Sequence, residues 1–159
     1  MQGPAPEKLL SFMATYKSKQ TLVSKAPYEL YMAVTDLRNI INMLPQDKRE
    51  GVTADFDSIH ATVQGFSIGV RVTERSPYNL LKLKDDGAPF SFSIELHFDQ
   101  AAYASQTLFH IVVEADLNFM MKTLLGSKIQ SGIDKIAESL ADASNGKMPE
   151  GFDPKQFGL

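Results

Sequence analysis

The spacing of hydrophobic residues changes twice along the chain and divides it into three regions. From Val52 to Leu117, hydrophobic residues tend to occupy every second position, and turn-forming residues interrupt this pattern at intervals of about eight to twelve residues. This pattern is typical of consecutive antiparallel strands, and it predicts a β-meander. The predicted strands are residues 54–63, 66–74, 79–84, 90–98 and 107–117.

The last two predicted strands alternate most regularly, which predicts one buried and one wet face. The buried set in the first of them is Phe90, Phe92, Ile94, Leu96 and Phe98, and in the second it is Phe109, Ile111, Val113, Ala115 and Leu117. Leu108 and Val112 interrupt the polar side of the second strand. They are interpreted as scattered surface residues or as part of a contact surface.

Before the meander, residues 11–25 are rich in β-formers without helical spacing and predict one long first strand. Pro27 then suits the first position of a helix, and hydrophobic residues follow at three- and four-residue steps until Pro45. Residues 46–51 are polar, and they predict a short helical turn or loop.

After Asn118, a suitable N-cap, the pattern becomes helical again and predicts a helix of about 26 residues, about 39 Å long. Its hydrophobic stripe comprises Met121, Leu124, Leu125, Ile129, Ile133, Ile136, Ala137 and Leu140. Gly126 and Gly132 lie inside it, each at a cost of about 1 kcal/mol relative to alanine. A kink, or a close approach to the sheet or a ligand, would compensate for that cost.

These elements predict a single α+β domain with about six strands. Residues 11–143 form the domain, residues 1–10 an N-terminal extension and residues 144–159 a tail, with Phe152 and Phe157 as its aromatic anchors. The net charge of −3 argues against nucleic acid as a partner, because nucleic-acid binding normally needs clustered cations. The chain has no cysteine, which excludes disulfides and thiolate chemistry.

No apolar segment is long enough to span a bilayer, so no transmembrane segment is expected. Residues 1–8 show no basic leader followed by an apolar stretch. The expected location is therefore cytoplasmic.

Several short stretches carry a resemblance to a known superfamily. They are APYELY at 26–31, TDLRN at 35–39, PQDK at 45–48, RVTERSP at 71–77, ADLN at 115–118 and MMK at 120–122. Together with the order of elements, they resemble small bacterial members of the SRPBCC superfamily, which groups START, polyketide cyclase and birch-pollen-allergen-like proteins. The resemblance covers about residues 11–142.

The resemblance implies a helix-grip fold, in which a curved antiparallel sheet of about six strands wraps around the long C-terminal helix. Such a fold has a cavity between sheet and helix that takes lipids, sterols, polyketides or other small apolar molecules. The residues expected to line it are Phe92, Ile94, Leu96, Phe109, Ile111, Val113, Met121, Leu124, Leu125 and Ile129. The same residues would equally serve as a packed core. The C-terminal tail departs from the family and could cover one end of the cavity.

One polar cluster follows from pairing the last two strands as a hairpin. Placing residue 95 opposite residue 110 brings Glu95, His97 and His110 onto the outer face of the sheet. Such a set can bind zinc or carry out acid–base chemistry, but the outer face is open to water and the tight spacing of recognised zinc motifs is missing. No metal, no cofactor and no catalytic residue is predicted, and residues 85–87 are interpreted as a hairpin turn.

Three functions remain open. The first is non-catalytic binding of a small hydrophobic ligand. The second is a cyclase or aromatase, which needs polar residues directed into the cavity, and the available ones are Tyr16, Ser18, Gln20, His60 and Arg71. The third is an interaction domain that binds a protein partner or itself through Leu108, Val112 or the aromatic tail.

Overall fold

The computed structural model describes residues 12–42, 46–63 and 65–146. Its strands are β1 (Phe12–Lys17), β2 (Thr21–Val23), β3 (Val52–Ala54), β4 (Ser58–Val63), β5 (Phe66–Ser76), β6 (Leu80–Asp85), β7 (Phe92–Gln100) and β8 (Thr107–Leu117). Its helices are α1 (Pro27–Thr35), α2 (Arg38–Ile41), a short 3₁₀ helix (Gln46–Lys48) and α3 (Phe119–Ser144). The predicted extension at 1–10 and the tail beyond 146 lie outside the described residues.

The strands form one antiparallel sheet in the order β1-β8-β7-β6-β5-β4-β3, and β2 pairs with β8 beyond the end of β1. The predicted meander is confirmed, and so is the α+β class with its long C-terminal helix. The curved sheet has a concave face that carries the hydrophobic residues, and α3 packs across that face.

The described sheet has eight strands rather than about six, since two predicted strands are each divided. The first one breaks at Ser18, whose hydroxyl accepts a hydrogen bond from the Ile111 amide at 2.9 Å while its own amide donates to the Ile111 carbonyl at 2.8 Å. A side-chain oxygen thus replaces a main-chain acceptor, and the ladder is interrupted.

The predicted strand 54–63 divides at residues 55–57. The Asp55 carboxylate accepts hydrogen bonds from the Asp57 amide and the Ser58 hydroxyl, both at 2.9 Å, which stabilises a tight turn. The predicted helix 27–44 divides in the same way at Asp36, whose carboxylate accepts from the Arg38 amide at 3.1 Å. Short polar side chains bonding to nearby amides explain both interruptions.

The main core lies between the concave face and the second half of α3. From the helix it takes Ile133, Ala137, Leu140 and Ala143, and from the sheet it takes Leu81, Leu83, Leu96, Phe98, Phe109, Ile111 and Val113. At one end of the sheet α1 closes this core with Tyr31, whose ring packs edge-on against Phe98 at a centroid distance of 5.6 Å.

Helix α3 is attached to the rest of the domain mainly through its second half. Gln130 donates to the Lys17 carbonyl at 2.7 Å, the Lys19 amide donates to Asp134 at 2.8 Å, and Lys19 pairs with Glu138 at 2.6 Å. The first half carries its predicted N-cap, because Asn118 accepts from the Met121 amide at 2.8 Å. Within the described residues, no helix is long and apolar enough to cross a membrane.

Candidate functional site

A cavity lies between the concave face of the sheet and α3. Its volume is about 270 Å³, and it opens to solvent beside the helix. The sheet contributes Ile68, Phe90, Phe92, Ile94, Val113 and Ala115, and the helix contributes Lys128, Ile129, Gly132, Ile133 and Ile136. The wall is therefore almost wholly hydrophobic, with Lys128 as the charged residue among those that line it.

The strand register explains why this wall is apolar. Phe92 lies opposite Ala115 and Ile94 lies opposite Val113, so alternation directs all four side chains to the concave face. The helix side has a gap at Gly132, where a Cβ atom would meet no other atom within 4 Å. Because Gly132 has no side chain, the space between α3 and the hydrophobic residues of β7 and β8 stays unfilled at this point.

The structure distributes the predicted cavity residues over four environments, the last of which is the exposed surface of α3 at Leu124. Phe92, Ile94, Val113 and Ile129 line the cavity. Leu96, Phe109 and Ile111 are buried in the main core, while Met121 and Leu125 pack beside Phe92 and Leu117.

Leu124 does not line the cavity, contrary to the prediction, because its side chain is 62% exposed. Nine residues separate it from the buried Ile133, which at about 100° per residue places the two on opposite sides of the helix. The three-residue step from Met121 suggested a common stripe, but the stripe follows the later residues of α3.

The sequence prediction omitted several lining residues that carried a signal. Ile133 and Ile136 belong to the predicted helical stripe, and Ala115 belongs to the predicted buried face of its strand. Ile68 lines the cavity from β5, which lies two strands away from β7. Periodicity alone did not show which side of α3 faces the cavity.

Tyr16 and Gly126 mark a close approach between β1 and α3. A Cβ atom at Gly126 would lie 3.1 Å from the Tyr16 hydroxyl oxygen, so the glycine allows the helix to pack there. That hydroxyl is buried and has no hydrogen-bond partner among the described residues. The close approach proposed for the helix glycines is thus present at Gly126, next to the cavity rather than in its wall.

The other polar residues considered for catalysis do not reach the cavity. Gln20 is exposed, and His60 and Arg71 lie on the outer face, where both contact Asp86, at 3.0 and 3.4 Å. Ser18 is buried, but its hydroxyl already donates to the Lys19 carbonyl at 2.9 Å and accepts from Ile111. None of these side chains supplies a free polar group to the cavity wall.

The outer-face cluster forms with a different register from the predicted one. His97, not Glu95, lies directly opposite His110, because β7 continues to Gln100 and shortens the connection to β8. The two imidazole rings stack with a centroid distance of 4.5 Å and an angle of 5°. His97 Nε2 lies 2.8 Å from a Glu95 oxygen.

Burial is the largest influence on the pKa of His110. Partial burial, and then the neighbouring His97, lower the pKa of His110 below its ordinary value of 6.5. The described part of the chain contains no group of three or more histidine or acidic residues arranged to hold a metal ion. The zinc interpretation of Glu95, His97 and His110 therefore has no geometric support.

The sheet, the long helix and the cavity between them define a helix-grip α+β protein. No family model matches the chain, and no curated protein matches it in sequence. Solved structures do: norcoclaurine synthase from Thalictrum flavum has a TM-score of 0.63 at 11% identity, covering 89% of this chain and 91% of that one.

Two bacterial structures are also similar. A solution structure from Thermobifida fusca has a TM-score of 0.65 at 15% identity, covering 86% of this chain and 98% of that one. The Aha1 dimer from Colwellia psychrerythraea has a TM-score of 0.58 at 15% identity, with 82% and 96% covered. At such low identities these similarities show a shared fold.

Proposed function

We propose that the protein binds a small hydrophobic molecule in the cavity between the sheet and α3. The observation that carries this proposal is a cavity of about 270 Å³ with an apolar wall, which is formed by side chains from β5, β7, β8 and α3. Ligand pockets usually measure about 300–1,000 Å³, so this one suits a small ring system or a short acyl chain. Each buried CH₂ group of the ligand would contribute about 0.8 kcal/mol.

The fold neighbours support a small ligand without identifying it. A structure of norcoclaurine synthase contains dopamine and hydroxybenzaldehyde, and it shares the fold at 11% identity. The lining here does not suit a protonated amine. It is almost wholly hydrophobic, and its charged side chain, Lys128, is itself positive. We therefore propose a neutral or weakly acidic apolar molecule.

The cyclase or aromatase alternative receives less support. It requires a polar group in the cavity wall, and the polar residues considered for that role lie on the outer face, are already hydrogen bonded, or lie beside the cavity as Tyr16 does.

The predicted domain boundaries and cytoplasmic location stay predictions.

The first test is native mass spectrometry of the protein from its own source, followed by organic extraction. A stoichiometric apolar compound in the extract is the expected result. In parallel, a fluorescent naphthalene sulfonate probe is titrated into the purified protein and into variants at Gly132, which faces open space at the cavity.

The matched variants separate filling of the cavity from a change in the helix. Gly132→Phe places a ring in the cavity and should weaken probe binding at least tenfold, whereas Gly132→Ala adds a single methyl group and should retain binding. Ser131→Phe adds the same ring at an exposed neighbouring position outside the cavity lining. Equal probe affinity in Gly132→Phe and Gly132→Ala would show that the cavity is not the binding site.

A further inference from the structure

Lys128 is the charged residue in the wall of the cavity, and the helical repeat determines where it lies. It precedes Gly132 and Ile136 by four and eight residues, so the three follow one another along the side of α3 that lines the cavity. Lys128 is itself exposed. Since the stem of a lysine is apolar and its ammonium stays hydrated, the stem continues the apolar wall and the charge lies at the opening.

The ammonium of Lys128 has no carboxylate partner among the described residues. Other lysines are paired, since Lys19 contacts Glu138 at 2.6 Å and Lys82 contacts Glu95 at 3.6 Å. Partners within a helix lie three or four positions away, and for Lys128 these positions hold no acidic residue. They are Leu124, Leu125, Ser131 and Gly132. The opening of the cavity therefore carries a positive charge that the described fold does not neutralise.

A single cation beside an apolar wall selects ligands by their charge. A protonated amine would be repelled by Lys128, and a neutral molecule would gain no ion pair from it. A dianion such as a phosphate monoester would bring one charge more than Lys128 neutralises, beside a wall whose other side chains are all hydrophobic. A carboxylate carries one negative charge and accepts a charge-assisted hydrogen bond from an ammonium. One lysine thus matches one carboxylate.

We propose that the ligand is a small apolar carboxylic acid, whose carboxylate pairs with Lys128 at the opening while its hydrocarbon part fills the cavity. This inference rests on the proposed function and narrows the ligand to the acidic class. The reverse orientation is disfavoured, because an ionised carboxylate among Phe92, Ile94 and Val113 would lose its hydration without gaining a donor.

The dimensions of the cavity limit the hydrocarbon part of the ligand. The lining residues of α3 extend from Lys128 to Ile136, which is about 12 Å along the helix axis. At about 30 Å³ for each heavy atom, the liquid volume of one water molecule, the cavity of about 270 Å³ holds about nine heavy atoms. A naphthalene ring system is close to this size.

Two probes of the same shape and different charge test the proposal. Naphthoic acid is ionised at neutral pH, whereas naphthamide is neutral, and isothermal titration calorimetry measures the affinity of each. We expect the acid to bind about fivefold more tightly at low salt, the ratio that corresponds to about 1 kcal/mol for an exposed ion pair. High salt should reduce this ratio, because the ion pair lies at the opening.

Lysine variants separate the ion pair from a general effect of charge. Lys128→Met keeps an apolar stem and removes the charge, so the preference for the acid should disappear while the affinity for the amide stays the same. Lys128→Arg keeps the charge and should keep the preference. Lys135→Met is the matched control and should also keep it, because Lys135 lies on the same side of α3, seven residues later, and does not line the cavity.

The outcomes distinguish this inference from the proposed function. Equal affinities for acid and amide in the unaltered protein, or a preference that Lys128→Met retains, would overturn the acidic class and leave hydrophobic binding in the cavity standing. An equal loss of preference in Lys135→Met would also overturn it, by showing an effect of net charge alone. Gly132→Phe should weaken binding of both probes. Unchanged affinities in that variant, or no binding of either probe, would overturn both proposals.

Discussion

Arg75 shows how a single residue joins three parts of the fold. A β-bulge shifts the register of β5 between Val72 and Glu74, after which Arg75 lies opposite the buried Leu81. Its guanidinium donates to the Thr35 hydroxyl at 2.8 Å and to the Thr35 carbonyl at 2.9 Å, at the end of α1. The same group pairs with an Asp57 oxygen at 2.6 Å.

Replacing Arg75 should therefore destabilise the fold. Arg75→Met should lower the free energy of unfolding by about 2–3 kcal/mol, because it leaves acceptors at the end of α1 without their donor. Urea denaturation followed by circular dichroism measures this. Arg38→Met is the matched control, since Arg38 is largely exposed and pairs with the nearby Asp36, and its loss of stability should be clearly smaller.

His110 should make stability depend on pH. Its pKa is lowered in the folded state, chiefly by burial, so on acidification the unfolded state takes up the proton first. The free energy of unfolding should thus fall as the pH decreases from 6.5 towards the lowered folded pKa. Urea denaturation above and below 6.5 measures this, and His110→Gln should flatten the dependence. An unchanged slope in that variant would contradict the assignment.

At the scale of the element, the two glycines of α3 have different reasons to be there. Gly126 lies against the Tyr16 hydroxyl, whereas Gly132 faces open space at the cavity. Only the first is required by packing. The second weakens the helix and leaves the cavity open.

Alanine at these two positions should have contrasting effects on stability. Gly132→Ala should raise the free energy of unfolding by up to about 1 kcal/mol, because alanine favours helix and meets no obstacle. Gly126→Ala should not give this gain, since its methyl group would lie 3.1 Å from the Tyr16 oxygen. Thermal and urea unfolding compare the two, and equal gains would show that the contact with Tyr16 is unimportant.

The Tyr16 hydroxyl gives a related prediction. It is buried without a hydrogen-bond partner among the described residues. Tyr16→Phe should therefore raise the free energy of unfolding by about 1 kcal/mol, because an unpaired buried hydroxyl costs free energy. Combined with Gly126→Ala, it should also recover the helix gain, which a double-mutant cycle measures. Destabilisation by Tyr16→Phe would indicate a hydrogen bond outside the described residues.

The elements themselves were largely predictable from sequence. Regular alternation in β7 and β8 and the helical stripe of α3 depend on burial, which periodicity records directly. The breaks at Ser18 and Asp55 were not predicted, because they depend on side-chain oxygens that accept hydrogen bonds from nearby or distant amides. The bulge between Val72 and Glu74 was not predicted either, and the pairing of His110 with His97 differs by two residues from the predicted pairing with Glu95, because β7 continues to Gln100.

At the scale of the whole molecule, α3 is held unevenly. Its buried residues, Ile133, Ala137, Leu140 and Ala143, all lie in the second half. Its polar contacts with residues 17–24 also begin at Gln130. The first half instead borders the cavity through Lys128 and Ile129. The sequence predicted one stripe along the whole helix, whereas this asymmetry arises from how the helix crosses the sheet.

This uneven attachment should be visible in hydrogen exchange. Amides of residues 122–129 should exchange faster than those of residues 133–142, because the first half has fewer buried contacts to lose on local opening. Exchange measured by mass spectrometry or NMR tests this. Ligand binding in the cavity should slow exchange in the first half, and uniform protection along the free helix would contradict the prediction.

The division of the first strand also limits how the molecule can associate. β1 and β2 form one edge of the described sheet, interrupted at residues 18–20, and β3 forms the other edge with three residues. Short or interrupted edges offer few consecutive free main-chain groups to an incoming strand. Sheet extension between copies, the usual start of β-aggregation, is therefore disfavoured at these edges of the described sheet, and we expect association to use side-chain surfaces instead.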